Sequence, residues 1–227
     1  MEALNNIPIA FDTERILKMM RARSGAERFR KIVDELIEIA KPVARPKAIY
    51  GMCFIDSRDS DTVTIQGVKF TSHVMRINTE KIERVFPFIV TCGAELEKVS
   101  IPGDDALRVF CWDAVKTYAV YVASRYLSDY LKRRYALGEM SSMSPGSLSS
   151  WPIQQQKELF SIFGDVEKLI GVRLTEDFLM YPIKSVSGIY FSTDVKFESC
   201  QLCPRERCTG RRAPYDPELV KKYIPNG

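Results

Sequence analysis

The sequence predicts a single α+β domain followed by a short cysteine-bearing extension. Short β-branched and aromatic runs bounded by polar turns occur at 48–55, 62–70, 86–92 and 185–192. Apolar residues recur at helical spacing through 29–40 and 107–130. No internal repeat or linker-like tract divides the 227 residues, which suffice for a self-supporting core. With 45% hydrophobic and 27% charged residues, disordered and collagen-like classes are excluded.

Taken in order, Asp12 is placed to cap a short helix through Met20, and Ser24-Gly25-Ala26-Glu27 has the form of a capping box. In the helix that follows, Phe29, Ile32, Val33, Leu36, Ile37 and Ala40 share a face, and Pro42 stops it. Ala48 to Ile55 and Thr62 to Phe70 read as an antiparallel strand pair around the polar turn 56–61, with Gln66-Gly67 kinking the second strand. His73 to Ile77 reads as a continuation of the sheet, and Asn78-Thr79-Glu80 as the start of a helix. Phe86 to Cys92 is a buried-strand candidate ending at Gly93, followed by one or two helical turns around Leu96 and Val99 that close at Ile101-Pro102-Gly103. Asp104 and Asp105 place negative charge at the start of the longest helix, Ala106 to Tyr135, a favourable arrangement for the helix dipole. Its core face is expected to be Leu107, Phe110, Cys111, Ala114, Val115, Tyr118, Val122, Tyr126 and Tyr130. Gly138 to Ser150 is expected to be a loop, Pro152 to open a helical segment through Phe163, and a short helix to run from Asp165 to Leu169 and to be stopped at Gly171.

The stretch from Met143 to Ser192 carries the binding candidates. Pro145-Gly146 fixes one turn and frees the next, and Gly188 lies within a strand-like run, where a glycine marks a bulge or a close backbone approach. Either a core-closing bulge or the wall of a crevice fits these local signals. The candidate ligand-binding residues are Ser144, Pro145, Gly146, Ser147, Ser185, Ser187, Gly188, Tyr190 and Phe197.

Pro145-Gly146, the helix 155–163, Gly171-Val172-Arg173-Leu174-Thr175-Glu176, Met180-Tyr181-Pro182 and Ser185 to Ser192 together resemble the activation (reactivation) domain of cobalamin-dependent methionine synthase. Thr91-Cys92-Gly93, Leu96-Glu97 and Asp113 resemble the pattern of free-standing homologues of that domain. The resemblance spans roughly residues 45–197. It implies an α+β fold around a twisted antiparallel sheet flanked by helices, and S-adenosylmethionine as ligand. It also implies docking on a corrinoid-binding methyltransferase whose cobalamin has fallen to cob(II)alamin, with flavodoxin or ferredoxin as electron donor. Ser142 and Ser147 stand where the family has an arginine and a tyrosine, Arg125 near a family glutamate, and Phe197 at a binding tyrosine. Losing a charge-assisted carboxylate contact costs roughly 1.5 to 3 kcal/mol.

Six cysteines in a chain expected to be cytoplasmic do not read as a disulfide framework. Cys53, Cys92 and Cys111 lie in apolar segments, whereas Cys200, Cys203 and Cys208 cluster as candidate metal ligands beside Arg205, Arg207, Arg211 and Arg212. An iron-sulfur cluster, a structural zinc and free or redox-paired thiols are all compatible with C-x2-C-x4-C. The domain is expected to span 1–199 and the extension 200–227, which holds six Lys and Arg against three Asp and Glu. That modest excess indicates neither a nucleic-acid stripe nor a membrane partner, and no apolar run spans a bilayer. His73, the single histidine, excludes multi-histidine metal sites and most His-dependent triads, and no catalytic residue is identified. Asp113, Glu97 and Glu176 read as polar contacts, caps or surface residues. Two functions follow: an accessory in reductive remethylation of a corrinoid, or a non-catalytic binding module of the same fold stabilised by zinc. A different small ligand in a serine-lined pocket is a third.

Overall fold

The computed structural model describes residues 1–21, 26–101, 105–194, 196–208 and 211–223. An antiparallel sheet is organised on β6 (Arg84–Thr91), whose residues Val85 to Thr91 are all buried. On one flank β6 pairs with β10 (Ser185–Ser192), Ser185 opposite Thr91 and Tyr190 opposite Phe86. On the other it pairs first with β2 (Lys47–Tyr50) and then with β3 (Cys53–Arg58). Pro87 explains the change of partner. Neighbouring N–H and C=O groups of one strand residue point to the same flank, and the Pro87 carbonyl accepts from Gly51 N–H at 3.0 Å. The N–H that proline lacks would therefore point at the Gly51-Met52 break between β2 and β3, so no ladder bond is lost inside either pairing.

The expected strand 48–55 is thus two strands, and so is 62–70. There β4 (Thr62–Ile65) and β5 (Val68–Thr71) form a hairpin, and Gln66 and Gly67 supply its two-residue turn with both φ angles positive. Sheet order continues from β3 through β4 to β5, while β1 (Glu2–Leu4) edges β2. Residues 73–77, expected to extend the sheet, instead lie in helix α3 (His73–Asn78). The Ser72 hydroxyl accepts from Met75 N–H there, and this cap outweighs the β-branched character of Val74 and Ile77. Asn78 accordingly ends a helix rather than starting one. The expected loop 138–150 contains a strand, β7 (Met140–Met143), paired with β10.

Helix α1 (Thr13–Met20) starts at Asp12, whose carboxylate accepts from Arg15 N–H at 3.0 Å. Helix α2 (Ala26–Ala40) buries Ile32, Val33, Leu36, Ile37 and Ala40, as its periodicity requires. The capping box at 24–27, the closing turn at 102–103 and Asp104 fall wholly or partly outside the described residues. A single turn, α4 (Ala94–Glu97), precedes α5 (Ala106–Tyr135), which is capped by Asp105. Helix α5 packs Cys111, Trp112, Val115, Tyr118 and Ala119 on α1 and α2. Its second half turns Ala123, Leu127 and Leu131 toward β2 and β6. The expected face was offset by about one position: Phe110 is exposed, whereas Trp112, Ala119, Ala123, Leu127 and Leu131 are buried. The aromatic ladder of Phe110, Tyr126 and Tyr130 masked the smaller residues that make the closer contact.

The remaining elements close the second side. They are α6 (Gln156–Ser161), α7 (Val166–Ile170), a two-stranded hairpin of β8 (Arg173–Leu174) and β9 (Met180–Tyr181), and α8 (Pro217–Tyr223). Past residue 199 the chain packs on the domain: Leu202 and Tyr223 are buried in the main core, and Tyr223 stacks on Phe197 at 5.5 Å. Among the described residues no helix is long and apolar enough to cross a membrane.

Candidate functional site

β10 lies between β6 and β7, and Gly188 sits where β7 turns into Ser144-Pro145-Gly146. A Cβ at Gly188 would stand 2.3 Å from the Met143 carbonyl oxygen and 2.9 Å from Ser144 Oγ, so only glycine admits this approach. The turn is held by Gly146 N–H to Trp151 O at 2.8 Å and by the Ser147 hydroxyl to Ser144 O at 2.6 Å. Gly146 has φ +78° and lies under the Ile153 side chain.

Between this turn and β10 opens a groove of about 330 Å3. Ser144 and Pro145 form one wall, Ser185, Val186 and Ser187 the other, and Ile153, Phe178, Leu179 and Ile183 its apolar surround. Three of its polar side chains are already partnered. Ser187 Oγ donates to Gln156 Oε1 at 3.3 Å, Gln156 Nε2 donates to Phe178 O at 3.2 Å, and Ser185 Oγ donates to Pro182 O at 2.7 Å. No charged side chain is among the described residues lining it. At its lip Leu179 and Ile183 are 64% and 71% exposed, large values for such residues.

Of the nine predicted ligand-binding residues, Ser144, Pro145, Ser185 and Ser187 line this groove, and Gly146, Ser147 and Gly188 belong to the turn and strand that form it. Tyr190 and Phe197 are elsewhere. The Tyr190 ring stacks on Phe88 at 4.1 Å, its hydroxyl is 3.5 Å from Ser124 O, and burial pushes its pKa up. Phe197 lines a second, larger cavity of about 740 Å3 with Tyr223 and Asn78, on the α3 and α8 side. Period-2 alternation puts Tyr190 on the face of β10 opposite Ser185 and Ser187, where it packs toward α5. Sequence reading missed Ile153, Gln156, Leu179 and Ile183. The available signal was two large apolar residues flanking Tyr181-Pro182 in a short hairpin, which has no space to bury them.

Three ion pairs lie around the end of the sheet where Lys47, Thr91 and Ser185 are in register. Lys47 meets Glu95 at 2.9 Å, Lys116 meets Glu97 at 2.9 Å with both side chains nearly buried, and Lys184 meets Asp113 at 2.8 Å. Asp113 and Glu97 are therefore clamps between elements. His73 Nδ1 lies 2.7 Å from Asp61 at the α3 N-terminus, a structural contact.

Among the described residues no group of three or more His, Cys, Asp or Glu side chains is arranged to hold a metal ion. Cys200, Cys203 and Cys208, expected as a ligand set, do not form such a group among the described residues. A guanidinium instead organises their loop: Arg211 donates to the carbonyls of Cys200 at 3.0 Å, Cys203 at 3.1 Å, Ala213 at 3.3 Å and Arg205. Cys200 Sγ accepts from Arg212 N–H at 3.4 Å. Burial pushes the Cys200 pKa up, but the N–H groups of Arg212 and Ala213 and the Arg212 charge outweigh it and bring it below the usual thiol value. Cys53 and Cys92 are raised by burial to about 11 and about 12.

Fold and groove together define an α+β domain with an open, apolar-lipped groove beside its central strands. Residues 127–207 match the family profile described as vitamin B12 dependent methionine synthase, activation domain. The similarity to that family lies in this segment of the chain. The fold of the chain is similar to that in the crystal structure of the MetH reactivation domain bound to AdoHcy, with a TM-score of 0.58 and 19% identity, covering 96% of this chain and 81% of that one. No curated protein sequence matches the chain.

Proposed function

We propose that this protein docks on a corrinoid-binding methyltransferase and assists the return of its cob(II)alamin to methylcobalamin. The observation that supports this most is the neutral, apolar-lipped groove between the Ser144-Pro145 turn and β10, which falls inside the segment matching the activation-domain profile. In this reading Leu179 and Ile183 meet the corrinoid carrier, and the internally bonded Ser185, Ser187 and Gln156 keep the groove walls rigid. A flavodoxin- or ferredoxin-type donor supplies one electron, giving cob(I)alamin. S-adenosylmethionine then transfers its methyl group to cobalt, leaving S-adenosylhomocysteine, and this step drains the product of an unfavourable reduction. The presence of AdoHcy in the similar solved domain supports S-adenosylmethionine as the donor. Among the described residues no charged side chain lines the groove for the donor's carboxylate, so affinity is expected to fall by a factor of about 10 to 100 relative to a charge-assisted site. The reaction is placed in the cytoplasm.

The test is anaerobic: a corrinoid methyltransferase in the cob(II)alamin state, a flavodoxin-type reductant, and methyl-labelled S-adenosylmethionine, with and without the chain. Label entering methylcobalamin only with the chain present is the expected result. Complex formation without label transfer would favour a second reading, a non-catalytic binding module of the same fold. That reading draws on Ser142 and Ser147, which offer neither charge nor ring where the resemblance implies an arginine and a tyrosine.

A further inference from the structure

The loop after β10 has chemistry that corrinoid docking does not use. Ser199 to Gln201 forms one 3-10 turn, and the next residue, Leu202, has φ −97° and ψ −3°. The turn is closed by Cys203 N–H to Cys200 O at 3.3 Å. A hydrogen-bonded four-residue turn places its first and fourth Cα atoms within about 7 Å. A disulfide spans Cα separations of about 4.4 to 6.8 Å, so the backbone already has the reach that a Cys200–Cys203 bond needs. Both thiols are free and half-buried, within reach of solutes, whereas Cys53, Cys92 and Cys111 are fully buried. The carbonyls of both residues are pinned by the same Arg211 guanidinium, which holds the turn in place. Cys200 Sγ also accepts the Arg212 N–H, a contact that favours the thiolate, and the Arg212 side chain is held beside it by Glu198 at 3.1 Å. Cys208 lies beyond Pro204, and its carbonyl accepts from Arg211 N–H at 3.4 Å.

We infer that Cys200 and Cys203 are a redox-active dithiol, oxidised to an intramolecular disulfide by a low-molecular-weight disulfide of the glutathione class. The Cys200 thiolate attacks one sulfur of that disulfide and expels a thiolate, leaving a mixed disulfide on Cys200. Cys203, losing its proton to the expelled thiolate, attacks Cys200 Sγ and releases the second thiolate, which takes from water the proton that Cys200 gave up on ionising. The protein loses two electrons and two protons, and the small disulfide is reduced to two thiols. So short a ring restricts the unfolded chain little, so the bond is a reversible one rather than a structural staple.

The full chain, reduced and desalted anaerobically, is titrated with glutathione disulfide, quenched in acid, alkylated and mapped by tandem mass spectrometry. The expected result is loss of two alkylatable thiols with a Cys200–Cys203 linkage, while Cys53, Cys92 and Cys111 stay reduced. C203S is expected to accumulate a glutathione adduct on Cys200, and C208S to oxidise like the unaltered chain. A linkage through Cys208, retention of all free thiols, or a stoichiometric metal in the purified chain that C200S releases would overturn the inference. The linkage map of the unsubstituted chain stands whether or not the variants fold.

Discussion

Gly188 is the residue on which the groove depends, because the Met143 carbonyl occupies the space a Cβ would need. Gly188→Ala must push β7 away from β10, and overpacking of this kind costs about 1 to 3 kcal/mol, with backbone contacts toward the upper end. Urea unfolding of the variant should show that loss as a lower midpoint with an unchanged slope. Glu2 acts at the opposite edge. Its carboxylate accepts from the Tyr130 hydroxyl at 2.7 Å and the Tyr50 hydroxyl at 2.8 Å and faces Arg134 at 3.1 Å. The Tyr130 hydrogen bond is the largest cause of a pKa below the usual carboxylate value, with burial opposing it. A depressed carboxylate contributes stability above its unfolded pKa, near about 4.3, and that contribution disappears as pH falls through the folded value. Glu2→Gln should therefore be less stable than the unaltered chain at neutral pH. The difference should shrink on acidification below about pH 4, as measured by unfolding at a series of pH values.

At the scale of elements, the buried Lys116–Glu97 pair joins α5 to the turn of α4. Removing one partner leaves an uncompensated charge in a nearly dry site, so Lys116→Ala is expected to lose about 3 kcal/mol. Lys41→Ala, which breaks the exposed pair with Glu38, should lose under about 0.5 kcal/mol. Paired denaturation curves of the two variants check the contrast. Elements also mark where sequence reading reached its limit. The helices α1, α2 and α5 and the strands β6 and β10 were legible because each has a continuous apolar pattern or a cap close by in sequence. The division of 48–55 was not, because its cause is Pro87, which opposes it only after folding. Residues 73–77 went to helix through one Ser72 hydroxyl, a signal too small to outweigh Val74 and Ile77 in isolation. In the site, Pro145, Gly146 and Gly188 announced a close approach, whereas Phe197 was drawn away by Tyr223, a partner that only tertiary packing supplies.

For the whole molecule, the distribution of exposed apolar residues sets the expected interaction face. Leu179, Ile183 and Val186 share the groove lip. Ile183→Asp places a charge at that lip without touching the core, so stability should stay within about 0.5 kcal/mol. Association with the corrinoid carrier should weaken at least about tenfold, measured by calorimetry or sedimentation. Because no charged side chain lines the groove among the described residues, affinity of the unaltered chain should change little between low and physiological salt.

The pairing of β6 with β10 joins residues such as Thr91 and Ser185 that are far apart along the chain. While a ribosome is still synthesising the intervening segment, β6 has one bare hydrogen-bonding flank. Emergence of the last strand is thus the event that commits the nascent polypeptide to its native state. A transcript ended shortly before codon 185 should yield aggregated product rather than a smaller soluble one.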